Sequence, residues 1–91
     1  MSEDGLAREA RIVNQKGLHA RAAAKFVRTA ATFDAEVKVR KDDLAVSGTS
    51  ILGLMMLAAA TGSTLSMTAT GPDAQAALAA LVDLVERGFD E

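Results

Sequence analysis

The 91-residue chain has no cysteine, no tryptophan, no tyrosine, a single proline and a single histidine. Without cysteine there is no disulfide frame, no thiolate nucleophile and no cysteine-based zinc site, and one histidine cannot complete a soft-metal ligand set. The missing indole and phenol rings, together with a net charge of −2, deny the chain the basic field and stacking faces of a general nucleic-acid binder. The apolar run over residues 51–60 is too short to span a bilayer, and the acidic opening Ser2-Glu3-Asp4 is the reverse of a secretory leader. These exclusions predict a cytoplasmic protein with no metal and no cofactor, one that binds no nucleic acid and enters no membrane.

What remains is ordinary globular composition, 49% hydrophobic and 24% charged, on a chain long enough for one core and no more. One domain over residues 1–91 follows, with residues 1–6 as a frayed tail. Ala10 and Ile12 alternate with Glu9 and Arg11, which predicts a half-buried strand over residues 6–13. Over residues 20 to about 32, Ala23, Phe26, Val27, Ala30 and Phe33 form the stripe of an amphipathic helix whose other face carries Arg21, Lys25 and Arg28. Ala35, Val37 and Val39 alternate with Glu36, Lys38 and Arg40, and Leu44 to Ser47 complete a hairpin after the Lys41-Asp42-Asp43 turn. Ser50 precedes the apolar residues 51–57 as an N-cap precedes a helix, although Gly53 weakens it. Leu65, Met67 and Ala69 make a last strand, and Pro72 suits the first turn of a helix that buries Ala77, Leu78, Leu81 and Val85. The order β-α-β-β-α-β-α predicts an α+β fold, a two-layer open-faced sandwich of a four-stranded antiparallel sheet with helices on one face.

The sole histidine lies in Gly17-Leu18-His19-Ala20-Arg21, at the mouth of the first helix. A helix N-terminus carries unpaired N–H groups and a partial positive charge, so the amides of Ala20 and Arg21 can hold an anion there. The guanidinium of Arg21 can pair with phosphate oxygens, and Gly17 lets the backbone bend close to a ligand. Neutral imidazole is a competent nucleophile, and its phosphoramidate is labile enough to hand the group onward. The pattern therefore suits a histidine that accepts and releases a phosphoryl group. Against it, a lone histidine is often an incidental surface residue, Ser50 is first of all a helix cap, and Ile51, Leu52, Met55 and Met56 have the spacing of core residues. No second metal ligand lies near His19, and no serine sits in a nucleophile elbow. Three readings stay open on the residues alone: a phosphoryl carrier, a non-covalent anion-binding regulatory module, and an interaction domain that uses its short apolar helix.

Two segments, Gly17-Leu18-His19-Ala20-Arg21 and Ser47-Gly48-Thr49-Ser50-Ile51-Leu52-Gly53-Leu54-Met55, resemble the active-site and regulatory-serine motifs of the HPr phosphocarrier family of the bacterial phosphoenolpyruvate-dependent phosphotransferase system. The resemblance spans residues 10–84 and extends to the nitrogen-related NPr carriers. It implies an HPr-like, monomeric carrier and not a free-standing enzyme. Enzyme I would phosphorylate Nδ1 of His19, and an enzyme IIA of a sugar-uptake or nitrogen-type regulatory system would receive the group. By the same resemblance Arg21 and the backbone amides of Ala20 and Arg21 hold the phosphate, and Ser50 is the target of an HPr kinase/phosphorylase. Leu18, Arg21, Lys25, Arg28, Ile51, Leu52 and Met55 are the implied docking residues. The family motif usually continues with proline, where this chain has Ala22 and so gains an amide at the helix start.

Overall fold

Period-two alternation becomes a four-stranded sheet among residues 5–91, the part described by the computed structural model: β1 (Leu6–Arg11), β2 (Glu36–Lys41), β3 (Leu44–Ser47) and β4 (Thr64–Thr70). The strands are ordered β1-β4-β2-β3, and every neighbouring pair is antiparallel. Register pairs Ala10 with Leu65 and Val39 with Met67, so one face collects Ala10, Val37, Val39, Leu65, Met67 and Ala69, all buried. Across the other face the same register aligns Glu9, Ser66, Arg40 and Ala45, a row that faces water.

Three helices cover the apolar face: α1 (Ala20–Ala31), α2 (Ile51–Met56) and α3 (Ala74–Glu86). α1 buries Ala22, Ala23, Phe26 and Ala30, and α3 buries Ala74, Ala77, Leu78, Leu81, Leu84 and Val85. Burial of a leucine or phenylalanine of this kind stabilises by about 1.5–3 kcal/mol, so these two stripes hold the layers together. α2 contributes only Leu54 to the core. The α+β open-faced sandwich expected from the pattern is the observed fold.

Four local features differ from the pattern. β1 ends at Arg11, before Val13, because Ile12 leaves the ladder to pair with the loop ahead of β4: its N–H donates to the Ser63 carbonyl at 2.9 Å and its carbonyl accepts from Gly62 at 2.8 Å. Pro72 lies ahead of α3 and outside its first turn. Asp73 takes the cap position because its N–H donates to the Asp34 carbonyl at 3.0 Å while its carboxylate accepts from the Asp34 N–H at 2.8 Å, clipping the helix start to the α1–β2 connection. Of the expected tail, residues 1–4 lie outside the described residues and Leu6 already pairs with Ala69. Finally, a 3-10 turn, Gly88–Asp90, follows α3 and sinks Phe89 fully into the core.

Candidate functional site

The turn before α1 is fixed from both sides. Gly17 adopts φ +67°, and its N–H donates to the Asn14 carbonyl at 3.2 Å. Leu18 then donates its N–H to the Ala59 carbonyl at 2.9 Å and buries its side chain to 5% exposure. That burial corrects the docking role implied for Leu18: it serves the core, because the turn must be rooted for the next residue to project. His19 is the N-cap of α1, with extended backbone (φ −78°, ψ 179°), and its carbonyl accepts the first helical hydrogen bond, from Ala23 at 2.8 Å. The amides of Ala20, Arg21 and Ala22 therefore precede the ladder, and no side chain caps them among the described residues. The ring of His19 is one-quarter exposed.

The imidazole meets a group the sequence pattern did not single out. Nε2 of His19 is hydrogen-bonded to Oε2 of Glu91, whose Oε1 accepts from Nδ2 of Asn14 at 3.1 Å. Asn14 is buried, and the same amide nitrogen donates to the Gly17 carbonyl at 2.8 Å. Both partners of that nitrogen are acceptors, which fixes the amide orientation and leaves Oδ1 without a partner among the described residues. The hydrogen bond from His19, and next that from Asn14, hold the Glu91 carboxyl below the usual carboxylate range. Nothing in composition pointed to Glu91. The signal available was Gly88-Phe89, a helix stop followed by a lone aromatic, the kind of residue that seeks the core and carries its neighbours with it.

Around the ring lies a cleft of about 670 Å3 whose charged lining is Lys16, Arg21, Lys25, Arg87, Asp90 and Glu91. Arg21 is exposed at the second helical position. Lys25 is half-buried and donates from Nζ to the Phe89 carbonyl at 2.6 Å, so it ties α1 to the last turn as well as adding charge. Arg28 is exposed at the far end of α1, where a cation complements the helix dipole. Ser50 caps α2, its Oγ accepting from the Gly53 N–H at 2.9 Å. Beyond it Ile51 (42% exposed), Leu52 (70%), Met55 (42%) and Met56 (63%) face solvent, too open for core residues. The structure thus gathers His19, Arg21 and Lys25 in one cleft at the start of α1 and leaves the outer side of α2 apolar and bare.

The PTS-HPr family model, described as the PTS HPr component phosphorylation site, matches residues 6–87. The chain belongs to the HPr phosphocarrier family. Phosphocarrier protein HPr of Neisseria meningitidis serogroup A is 50% identical over 80 residues, covering 88% of this chain and 90% of the relative. Phosphocarrier protein NPr of Shewanella violacea is 44% identical over 86 residues, covering 94% of each. Among solved structures, an HPr from Thermoanaerobacter tengcongensis superposes with a TM-score of 0.90 at 42% identity, covering 94% of this chain and 97% of that one. HPr and NPr relatives thus stand at comparable distance. Among the described residues of this HPr-family chain, no helix is long and apolar enough to cross a membrane.

Proposed function

We propose that this chain is a phosphoryl relay of the cytoplasm, in which His19 takes a phosphoryl group on Nδ1 from phosphorylated enzyme I and gives it to an enzyme IIA. The observation that carries this reading is the presentation of a partly exposed imidazole at the cap position of α1, beside amides that the helix does not use. The lone pair of Nδ1 attacks phosphorus and the bond to the donor breaks, its electrons leaving with the donor. The amides of Ala20 and Arg21 and the guanidinium of Arg21 hold the phosphoryl oxygens, charge-assisted contacts that are stronger than neutral ones. Because the phosphoramidate stays labile, the group passes on; the chain is an intermediary that turns over nothing of its own.

Arg21, Lys25 and Arg28 form the charged part of the docking face and Ile51, Leu52 and Met55 its apolar part. Methionine and leucine at this exposure adapt to successive partners, and the cations speed encounter with acidic surfaces. Ser50 is the regulatory site: a phosphate there adds about two negative charges beside that face and opposes docking of an acidic partner.

Incubation with phosphoenolpyruvate and enzyme I tests the relay. An acid-labile, base-stable phosphohistidine, absent in His19→Ala, is expected; phosphate that survives in His19→Ala, or none in the native chain, refutes it. Phosphorylated Ser50 should slow charging of His19, and an unchanged rate counts against the regulatory role.

A further inference from the structure

The sheet has two edges, and only one of them is guarded by charge. β1 carries Arg8, Glu9 and Arg11 along its length, side chains of the kind that keep an edge from pairing with another chain. β3, at the opposite edge, reads Leu44-Ala45-Val46-Ser47 and carries neither charge nor proline. The Gly48 N–H donates to the Val37 carbonyl at 2.8 Å, and register pairs Val46 with Val39 and Leu44 with Lys41. Bonded residues alternate in an antiparallel ladder, so Leu44 and Val46 spend their N–H and C=O groups on β2 while Ala45 and Ser47 turn theirs outward. The Ser47 carbonyl is taken by the Ser50 N–H at 3.2 Å. That leaves the Ala45 N–H, the Ala45 carbonyl and the Ser47 N–H without partners among the described residues.

α2 lies above this edge. A Cβ on Gly53 would stand 3.0 Å from Val46 Cβ, so that glycine faces β3, while Leu54 goes to the core. At about 3.6 residues per turn, Leu52 and Met56 fall beyond Gly53 on the side away from Leu54, above the free edge. They are the most exposed large apolar side chains among the described residues.

We propose that β3 is a self-association edge, at which a second copy of this chain pairs antiparallel about a two-fold axis through Ala45 and joins two four-stranded sheets into one. That axis sets Ala45 opposite its own copy, where the two residues exchange both N–H···O=C bonds, and turns the Ser47 N–H toward the Asp43 carbonyl of the second copy. On the helix side it sets Leu44 opposite Val46 and brings together the Leu52 and Met56 stripes of the two α2 helices. On the open side it sets Asp43 opposite Ser47, whose neighbour in the β2–β3 ladder is Lys38. Neither Asp43 nor Lys38 has an ionic partner among the described residues, so the charges as well as the apolar stripes are complementary across the axis. One rotation satisfies both halves of the contact, which makes a second copy of this chain the occupant and closes the assembly at two. Leu52 also belongs to the docking face proposed above, so a paired copy offers its partners less of that face.

Sedimentation equilibrium of the full chain tests the pairing, from about 10 μM to about 1 mM, the range suited to an interface at the small end of those that form specific complexes. The average mass should rise from that of one chain toward that of two. Ala45→Pro removes the self-paired N–H from each copy and none that β2 uses, so it should weaken association by about tenfold or more with the fold retained by circular dichroism. Ala45→Lys and Ala45→Glu each put like charges directly opposite one another; each alone should associate about two- to fivefold more weakly than the native chain, and an equimolar mixture should regain association because the charges then attract. A native chain that stays monomeric throughout overturns the proposal, and so does association that Ala45→Pro leaves untouched or a mixture no tighter than its components. Ala45 and Ser47 amides that shift only when enzyme I is added to a monomeric chain would give the edge to a partner's strand and overturn it as well. Should Ala45→Pro fail to fold, the mixture of the two charged variants decides alone.

Discussion

Gly17→Ala should be the most damaging single-methyl change in the His19 turn. An alanine at φ +67° loses about 1 kcal/mol relative to glycine through conformation alone. Its Cβ would also stand 2.4 Å from the Ala59 carbonyl oxygen and 3.0 Å from Ala60 Cα, both of them backbone atoms with no rotamer to yield. That same oxygen accepts the Leu18 N–H at 2.9 Å. Relief means parting the two segments, which strips a buried donor of its acceptor at a further cost of about 1–3 kcal/mol. The sum, about 2–4 kcal/mol, lowers the melting temperature of a domain this size by roughly 10–30 °C.

Gly62→Ala supplies the control. Gly62 has φ +92°, but its Cβ would meet nothing within 4 Å, so only the conformational cost of about 1 kcal/mol remains. Thermal unfolding of the two variants followed by circular dichroism should separate them by at least about 5 °C, and only Gly17→Ala should slow charging of His19. Equal melting temperatures would refute the reasoning, since the clash with Ala59 would then be absorbed without moving the turn.

Ser50→Ala should destabilise by about 1 kcal/mol, because the Gly53 amide loses its acceptor, whereas Ser50→Asp should retain most of the cap; identical melting of the native chain and Ser50→Ala would deny the cap any weight. Arg28→Glu should slow phosphoryl transfer more at low salt than near 0.15 M, where the Debye length has shrunk to about 8 Å, and a defect indifferent to salt would indicate misfolding instead. Hydrogen bonds from His19 and Asn14 to Glu91, and from Arg87 to Asp90, hold both carboxyls below their ordinary range. Their contribution is complete above about pH 4.5 and fades as pH falls through the lowered native values. The gap in melting temperature between the native chain and Glu91→Gln should therefore narrow on acidification below about pH 4.5; a gap that widens reverses the sign and refutes the assignment.

Periodicity made most of the fold legible because one face of each long element meets the core. The stripe of α1 and the alternation of β2 and β4 both came from burial that repeats with the element's own period. Pro72 falls outside α3 for a different reason: what decides where the helix begins is a pair of hydrogen bonds between Asp73 and Asp34, 39 residues away, and no local pattern records them. The site divides in the same way. His19 was legible because it sits against a helix start that sequence can locate. Glu91 was not, because its approach to the ring depends on Phe89 being drawn into the core and on Lys25 holding that turn, contacts set by tertiary packing. The bare apolar side of α2 was undecidable from sequence, since a stripe of Ile51, Leu52, Met55 and Met56 reads alike whether covered or open.

The motif around His19 also shows why adjacent residues cannot share one role. Gly17 and Leu18 are buried, His19 is partly open, Ala20 and Arg21 are exposed, and Ala22 is again fully buried. A ring can be presented firmly only if the chain on both sides of it is anchored, so the inner residues of the motif have to be structural. Ala22 is the third helical residue, where the amide has no partner in the helical ladder and φ is already that of a helix. With alanine at this position the helix still starts at Ala20, and the Ala22 amide adds one N–H without a partner in the helical ladder.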